Sequence, residues 1–197
     1  MPMKKIKLIF LIFFCFILQN HKSAFSDDKH FHVAVGGGMA FYSVQSYGES
    51  TFTQMAPEIV AYGYYNLFQS FWLRPGIRMN YSWLQPDMPQ AIRIEERDFR
   101  YLAEVGVVFD WIVVPSLSYG FGYDYRTTNF KVNAPIVSYV DDISGSEFIP
   151  FSQFQLGLGF PIFKGLILIE PYGRYTIVQN DSRYGWGYGF EVTFQVY

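Results

Sequence analysis

The chain has 197 residues, half of them hydrophobic and 21% aromatic, yet beyond its start no uninterrupted apolar run is long enough for a transmembrane helix. With 15 basic residues against 17 acidic ones, it offers no basic surface for nucleic acid. Any membrane signal is therefore spread over alternating positions, and the length is ample for one eight-stranded barrel.

Residues 1–26 read as a secretory signal peptide. Lys4, Lys5 and Lys7 make a basic start, Leu8 to Leu18 an apolar core too short to span a bilayer comfortably, and Ala24-Phe25-Ser26 a small-x-small cleavage pattern. Cleavage is expected after Ser26, leaving eleven basic and 17 acidic residues from Asp27 onward, a net charge of −6. The only cysteine, Cys15, lies inside the leader and follows Ile12, Phe13 and Phe14, not the small residues of a lipoprotein cleavage box. No disulfide and no lipid anchor are expected.

Period-two alternation then recurs along the whole chain. In the first strand Phe31, Val33, Val35, Gly37, Met39 and Phe41 share one face, and His32, Ala34, Gly36, Gly38 and Ala40 the other. Ser43 to Thr53 reads as a polar loop, and Met55 to Tyr65 as a second strand carrying Glu58, Val60, Tyr62 and Tyr64 on its polar face. A turn around Phe68 leads to a third strand with Phe71, Leu73, Pro75, Ile77, Met79, Tyr81 and Trp83 against Trp72, Arg74, Gly76, Arg78, Asn80 and Ser82. Pro75 lacks a ladder donor and predicts a bulge there. Leu84 to Arg97 reads as a long loop.

The fourth strand sets Phe99, Tyr101, Ala103, Val105, Val107, Phe109 and Trp111 against Arg100, Leu102, Glu104, Gly106 and Asp110. Beyond a tight connection at Ile112 to Val114, the fifth sets Leu117, Tyr119, Phe121, Tyr123 and Tyr125 against Ser116, Ser118, Gly120, Gly122 and Asp124. Arg126 to Glu147 is the longest predicted loop, with a short hairpin expected over Ile136 to Val140. The sixth strand alternates Phe154, Leu156, Leu158, Phe160 and Ile162 with Gln153, Gln155, Gly157 and Gly159, and turns at Lys164-Gly165. In the seventh, Ile167, Ile169, Pro171, Gly173, Tyr175 and Ile177 oppose Glu170, Tyr172, Arg174 and Thr176. Gln179 to Arg183 connects to the eighth.

That last strand shows which face is inside. Tyr184, Trp186, Tyr188, Phe190, Val192, Phe194 and Val196 form one wholly apolar face, while the other holds Gly185, Gly187, Gly189, Glu191, Thr193, Gln195 and Tyr197. A soluble sheet would hydrate its polar face with Lys and Glu; this one is mostly glycine, which suits a crowded narrow lumen, and the aromatics suit lipid. The fold expected is all-β, an eight-stranded antiparallel up-and-down transmembrane β-barrel spanning residues 27–197. Connections alternate short and long, as in barrels with short periplasmic turns and longer outer loops. An aromatic girdle is expected at the outer end from Phe41, Tyr81, Trp83, Phe99, Tyr101, Tyr123, Tyr125, Tyr175 and Trp186.

The leader, the eight alternating segments, the loop asymmetry and the aromatic last strand together make the chain similar to the small outer-membrane barrels of the OmpA and OmpX type, over about residues 30 to 197. The resemblance implies a Gram-negative outer membrane. It implies partnership with outer-membrane lipid and lipopolysaccharide and with the barrel insertion machinery, which in such barrels reads a terminal aromatic. Here Tyr197 supplies that aromatic, although its apolar companions Val196, Phe194, Val192 and Phe190 sit on the other face.

For chemistry, the informative residues are the lumen charges. Glu58, Arg78, Glu104 and Arg174 fall at one depth from the short turns, with Asp124 and Glu191 near it, and hairpin counting sets Glu58 directly opposite Arg78 and Gln155 opposite Arg174. Opposite charges gathered in a narrow lumen predict an interlocked network that closes it, because an unpaired buried ion costs several kcal/mol. The contrary reading is a water-filled lumen with each charge hydrated separately. A lipid-modifying enzyme would need a base at the outer rim, and His30 and His32 lie at the opposite end. His30 and His32 with Asp27 and Asp28 suggest a weak metal site at most, solvated histidines being the plainer reading. Asp141, Asp142 and Glu147 lack calcium-loop spacing, and Gly36-Gly37-Gly38 opens no helix and is no phosphate loop. The sequence thus predicts a monomeric barrel with a structural or surface-interaction role, a surface ligand held by its loops, no enzyme activity and no cofactor. A small solute pore is the main alternative, and a lipid-modifying enzyme the lesser one.

Overall fold

The computed structural model describes residues 30–45, 51–68, 70–84, 92–132, 143–178 and 185–196. The leader with its Ser26 cleavage site, Asp27, Asp28, the 136–140 hairpin, Asp141, Asp142, Tyr184 and Tyr197 lie outside the described residues.

Eight strands follow one another: β1 (Phe31–Gln45), β2 (Thr51–Phe68), β3 (Phe71–Leu84), β4 (Ile92–Phe109), β5 (Val114–Val132), β6 (Ile143–Ile162), β7 (Ile167–Val178) and β8 (Trp186–Val196). Each pairs antiparallel with its neighbours in sequence, and β8 pairs with β1, so the sheet closes as a barrel with no edge along its wall. Its stagger can be read from the ladder. Starting at Phe31 and stepping through Tyr65, Leu73, Val107, Leu117, Leu156, Gly173 and Tyr188, the path returns to β1 at Phe41, ten residues further on. A shear of that size on eight strands tilts them by roughly 45° and leaves a bore only wide enough for side chains.

The barrel is apolar outside and polar within. Ile59 and Leu156 are 69% and 66% exposed, whereas Arg74 and Glu170 are fully buried. No soluble fold tolerates that inversion over its whole girth; lipid on the outside accounts for it. At some inward positions a carbonyl approaches so closely that only glycine fits. A Cβ on Gly38 would overlap the Phe190 carbonyl oxygen, and one on Gly122 that of Tyr101.

Several expectations are corrected. The segments 43–45, 51–53, 92–97, 126–132 and 143–147 and Leu84, read as loop, are strand. Both faces of those segments are largely polar, so hydrophobic alternation does not mark them, yet their backbones pair with neighbouring strands, as in Ser43 with Thr53, Glu95 with Asn129 and Thr127 with Ser146. Trp111 lies beyond the end of β4, and Val114 opens β5. The ladder stays in register at Pro75, which pairs with Val105; the bulge sits between Asn66 and Phe68. The hairpin turns between Phe68 and Phe71, not on Phe68, and the bulge offsets only part of that shift, so Glu58 stands opposite Asn80 and Arg78 opposite Val60. At the β6–β7 turn, Phe163, Lys164 and Gly165 all take positive φ, of 51°, 59° and 84°, and Gln155 lies opposite Arg174.

Candidate functional site in the lumen

With register and stagger fixed, the inward side chains order themselves along the axis into a floor, a middle and an outer cluster. The floor, at the short-turn end, is apolar: Tyr64, Trp72, Val108, Val114 and Leu168 pack as one buried group with Ala34, Val60 and Tyr62. His32 belongs to it, 2% exposed and with its ring 5.2 Å from that of Trp72. The expectation of two solvated histidines is therefore wrong for His32, because the strand carries it inside; His30 is exposed.

Above the floor lies a connected ionic group. Arg78 reaches three carboxylates, Glu58 at 2.9 Å, Glu191 at 3.0 Å and Glu104 at 3.2 Å. The two-residue offset from Glu58 along the strands is thus within the span of the guanidinium. Arg174 binds Glu58 through both terminal nitrogens, at 3.0 and 2.9 Å, and also donates to Gln155 at 3.3 Å. Arg74 forms a two-pronged bridge to Glu170, at 2.7 and 3.3 Å.

Each of the four carboxylates also receives one hydroxyl: Tyr172 donates to Glu58, Tyr62 to Glu191, Ser116 to Glu170 and Ser118 to Glu104. Four acids face three guanidiniums, and those neutral donors carry part of the charge that the arginines leave. Tyrosine rings fill the space between, with Arg74 over Tyr62 at 4.6 Å and Arg174 over Tyr172 at 4.2 Å.

The outer cluster is a square of two arginines and two aspartates. Arg100 is opposite Asp124, and Arg126 opposite Asp98, across the β4–β5 ladder. All four pairings lie at 3.2 to 3.3 Å, and Arg126 also reaches the largely exposed Glu147 at 3.5 Å. Tyr42 links the clusters, because Arg100 stacks on its ring at 4.6 Å while Arg174 and Asn80 donate to its hydroxyl at 2.8 and 3.0 Å.

Of the six charges predicted to gather, Glu58, Arg78, Glu104, Arg174 and Glu191 come together. Asp124 does not: barrel stagger lifts it into the outer square. Sequence reasoning places Arg74, Glu170 and Arg100 inside the lumen without joining them, passes over Asp98, and gives no role to Tyr42, Tyr62 and Tyr172. Their signal is their period-two position on the polar face, where a tyrosine hydroxyl has no water to meet.

On the outer surface, Tyr81, Trp83, Phe99, Tyr101, Tyr123, Tyr125, Tyr175 and Trp186 are exposed, with Phe41 half-buried against Tyr188 at 5.3 Å. Neighbouring rings touch, as in Tyr101 with Tyr123 at 5.9 Å and Tyr175 with Trp186 at 4.9 Å. Exposed aromatics also ring the short-turn end, where Phe31, Phe68, Phe109, Trp111 and Phe163 stand outward. Clustering at one end only is thus corrected to a belt at each.

No protein-family model matches the chain, and no curated protein matches it. Solved structures do. Neisserial surface protein A is 14% identical, with a TM-score of 0.51 over 85% of this chain and 97% of that one. A major outer membrane protein from Thermus thermophilus is 10% identical, with a TM-score of 0.53 over 85% and 100%. Ail, the attachment invasion locus protein of Yersinia pestis, is 12% identical, with a TM-score of 0.50 over 84% and 96%. Such identities speak for architecture alone. With eight strands, a shear of ten, an apolar exterior and a filled polar bore, the chain has the fold of the small eight-stranded outer-membrane β-barrels.

Proposed function

We propose that the protein is a closed outer-membrane barrel that presents a contact surface outside the cell, its charged lumen acting as a plug. The observation that carries this reading is the bore itself. Arg74, Arg78, Arg174, Glu58, Glu104, Glu170 and Glu191 are all buried and bonded to one another or to a hydroxyl, above an apolar floor. Solute transit would require breaking buried charge pairs, at several kcal/mol each. On this reading residues 1–26 are removed on export, and the long connections face outward. There β4, β5 and β6 carry the contact surface beyond the girdle, with Arg97, Phe148 and the small residues Ser144 to Ser146 exposed. The girdle meets lipid and lipopolysaccharide, and the barrel works as a monomer without cofactor or catalysis. One of the similar structures is named for attachment and another as a surface protein, names that agree with this use of the fold.

Single-channel recording of refolded protein in a planar bilayer tests the plug. We expect no steady open level in wild-type protein. A sustained, solute-passing conductance would replace the plug by a pore.

A further inference from the structure

Apart from the bulge beside the β2–β3 turn, and from the far end of that seam where pairing begins only at Glu58 with Asn80, the ladder breaks off and resumes at two places among the described residues, and their placement is not random. Between β2 and β3 pairing stops at Tyr62 with Gly76 and resumes at Tyr65 with Leu73, skipping Arg74 and Pro75. Between β6 and β7 it stops at Gly157 with Tyr172 and resumes at Phe160 with Ile169, skipping Glu170 and Pro171. Each gap contains a proline, which has no N–H to donate, and the residue just before it. On their other sides the same prolines stay paired, Pro75 with Val105 and Pro171 with Phe190. The two gaps are four strands apart in a ring of eight, hence diametrically opposed.

The residues preceding the two prolines are Arg74 and Glu170, the pair joined across the bore at 2.7 Å. We infer that this ion pair is a diametral strut: it ties together the two proline-interrupted seams of the wall and keeps both closed. Backbone hydrogen bonds cannot hold the sheet at those points, so a side-chain bridge through the lumen does. Glycines make room for it. A Cβ on Gly157 would overlap the Glu170 carboxylate and crowd the Ser116 hydroxyl that steadies it, and a Cβ on Gly76 would overlap the Tyr62 ring on which Arg74 stacks. Both strands repeat the arrangement: Arg74-Pro75 is followed by Arg78, and Glu170-Pro171 by Arg174. The strut concerns closure of the wall and does not depend on the plug, which concerns the bore.

Amide hydrogen exchange of the folded protein in micelles tests it. Glu170→Gln should raise exchange on the order of tenfold or more at both seams, around Tyr62–Tyr65 and around Gly157–Phe160, although only β7 is altered. Gly157→Ala, which keeps every charge and only displaces the carboxylate, should do the same and covers the case of a Glu170 variant that fails to fold. Asp98→Asn, which breaks buried pairs in the outer square, should leave both seams at wild-type rates. Exchange rising at the altered seam alone, rising uniformly around the barrel, or remaining unchanged in the first two variants would overturn the strut.

Discussion

At the scale of single residues, Arg78 is the most connected group in the bore, within 3.2 Å of Glu58, Glu104 and Glu191 and donating to the Tyr62 hydroxyl at 2.6 Å. Removing it leaves three acids short of a cation in a water-poor space. Arg78→Ala should therefore cost about 3 to 5 kcal/mol and lower the temperature at which the folded form is lost on unheated gels. The same variant should raise ion leakage through the bilayer. Unchanged stability together with unchanged leakage would mean that water already solvates these charges. A gentler probe is Tyr172→Phe, which removes only the hydroxyl given to Glu58. It should cost about 1 to 3 kcal/mol, as expected for an acceptor left short inside a protein, and a loss below a few tenths would count against a tight network.

At the scale of strands, glycine has two opposite meanings. Gly38 lies under the Phe190 carbonyl, whereas Gly173 faces lipid with nothing within 4 Å. Gly38→Ala should prevent or severely weaken pairing of β1 with β8. Gly173→Ala should be neutral or stabilise by up to about 1 kcal/mol, since a strand gains by losing a glycine. Similar unfolding midpoints for the two variants would contradict the close packing of β1 on β8. The strands are legible in sequence wherever lipid imposes a contrast between faces, as from Phe99 to Phe109. They become illegible where strands rise past the membrane, as in Ile92 to Arg97, because backbone pairing there needs no apolar stripe. Register fails for a different reason. The β2–β3 chain reverses between Phe68 and Phe71, past the expected centre at Phe68, and no residue type announces either that turn or the extra residue beside it.

The same limits explain the site. Charges on one strand face can be assigned to the bore from alternation alone, which is why Glu58, Arg78 and Arg174 are found. Which of them meet depends on the shear of ten, a property of the closed ring and of no single segment, and so counting from the turns sets Asp124 with the wrong partners. Orientation, too, belongs to the whole molecule. The only cysteine, Cys15, lies within the segment proposed to be removed on export, so under that proposal an introduced thiol would stand alone. On intact cells a membrane-impermeant maleimide should label Gly145→Cys and spare Lys164→Cys, because the first sits on the extension of β6 proposed to face outward and the second in a short turn at the opposite end. Labelling in the reverse order would invert the barrel.

Closure of β1 on β8 has one more consequence. Val33 lies opposite Val196 in that ladder, so the outset of the first strand and the finish of the last are neighbours at the short-turn end. The ring itself does not record where the chain was cut. A linker of roughly three to five residues, the length of an ordinary hairpin loop, should join β8 to β1, and a new opening between β5 and β6 should then yield a circularly permuted barrel with the same register. Such a permutant would still assemble by joining its first and last strands, now β6 and β5. Their shared ladder runs without a break from Val114–Gly159 to Phe130–Ile143, and the final step of closure would move from a seam of ten residue pairs to one of seventeen.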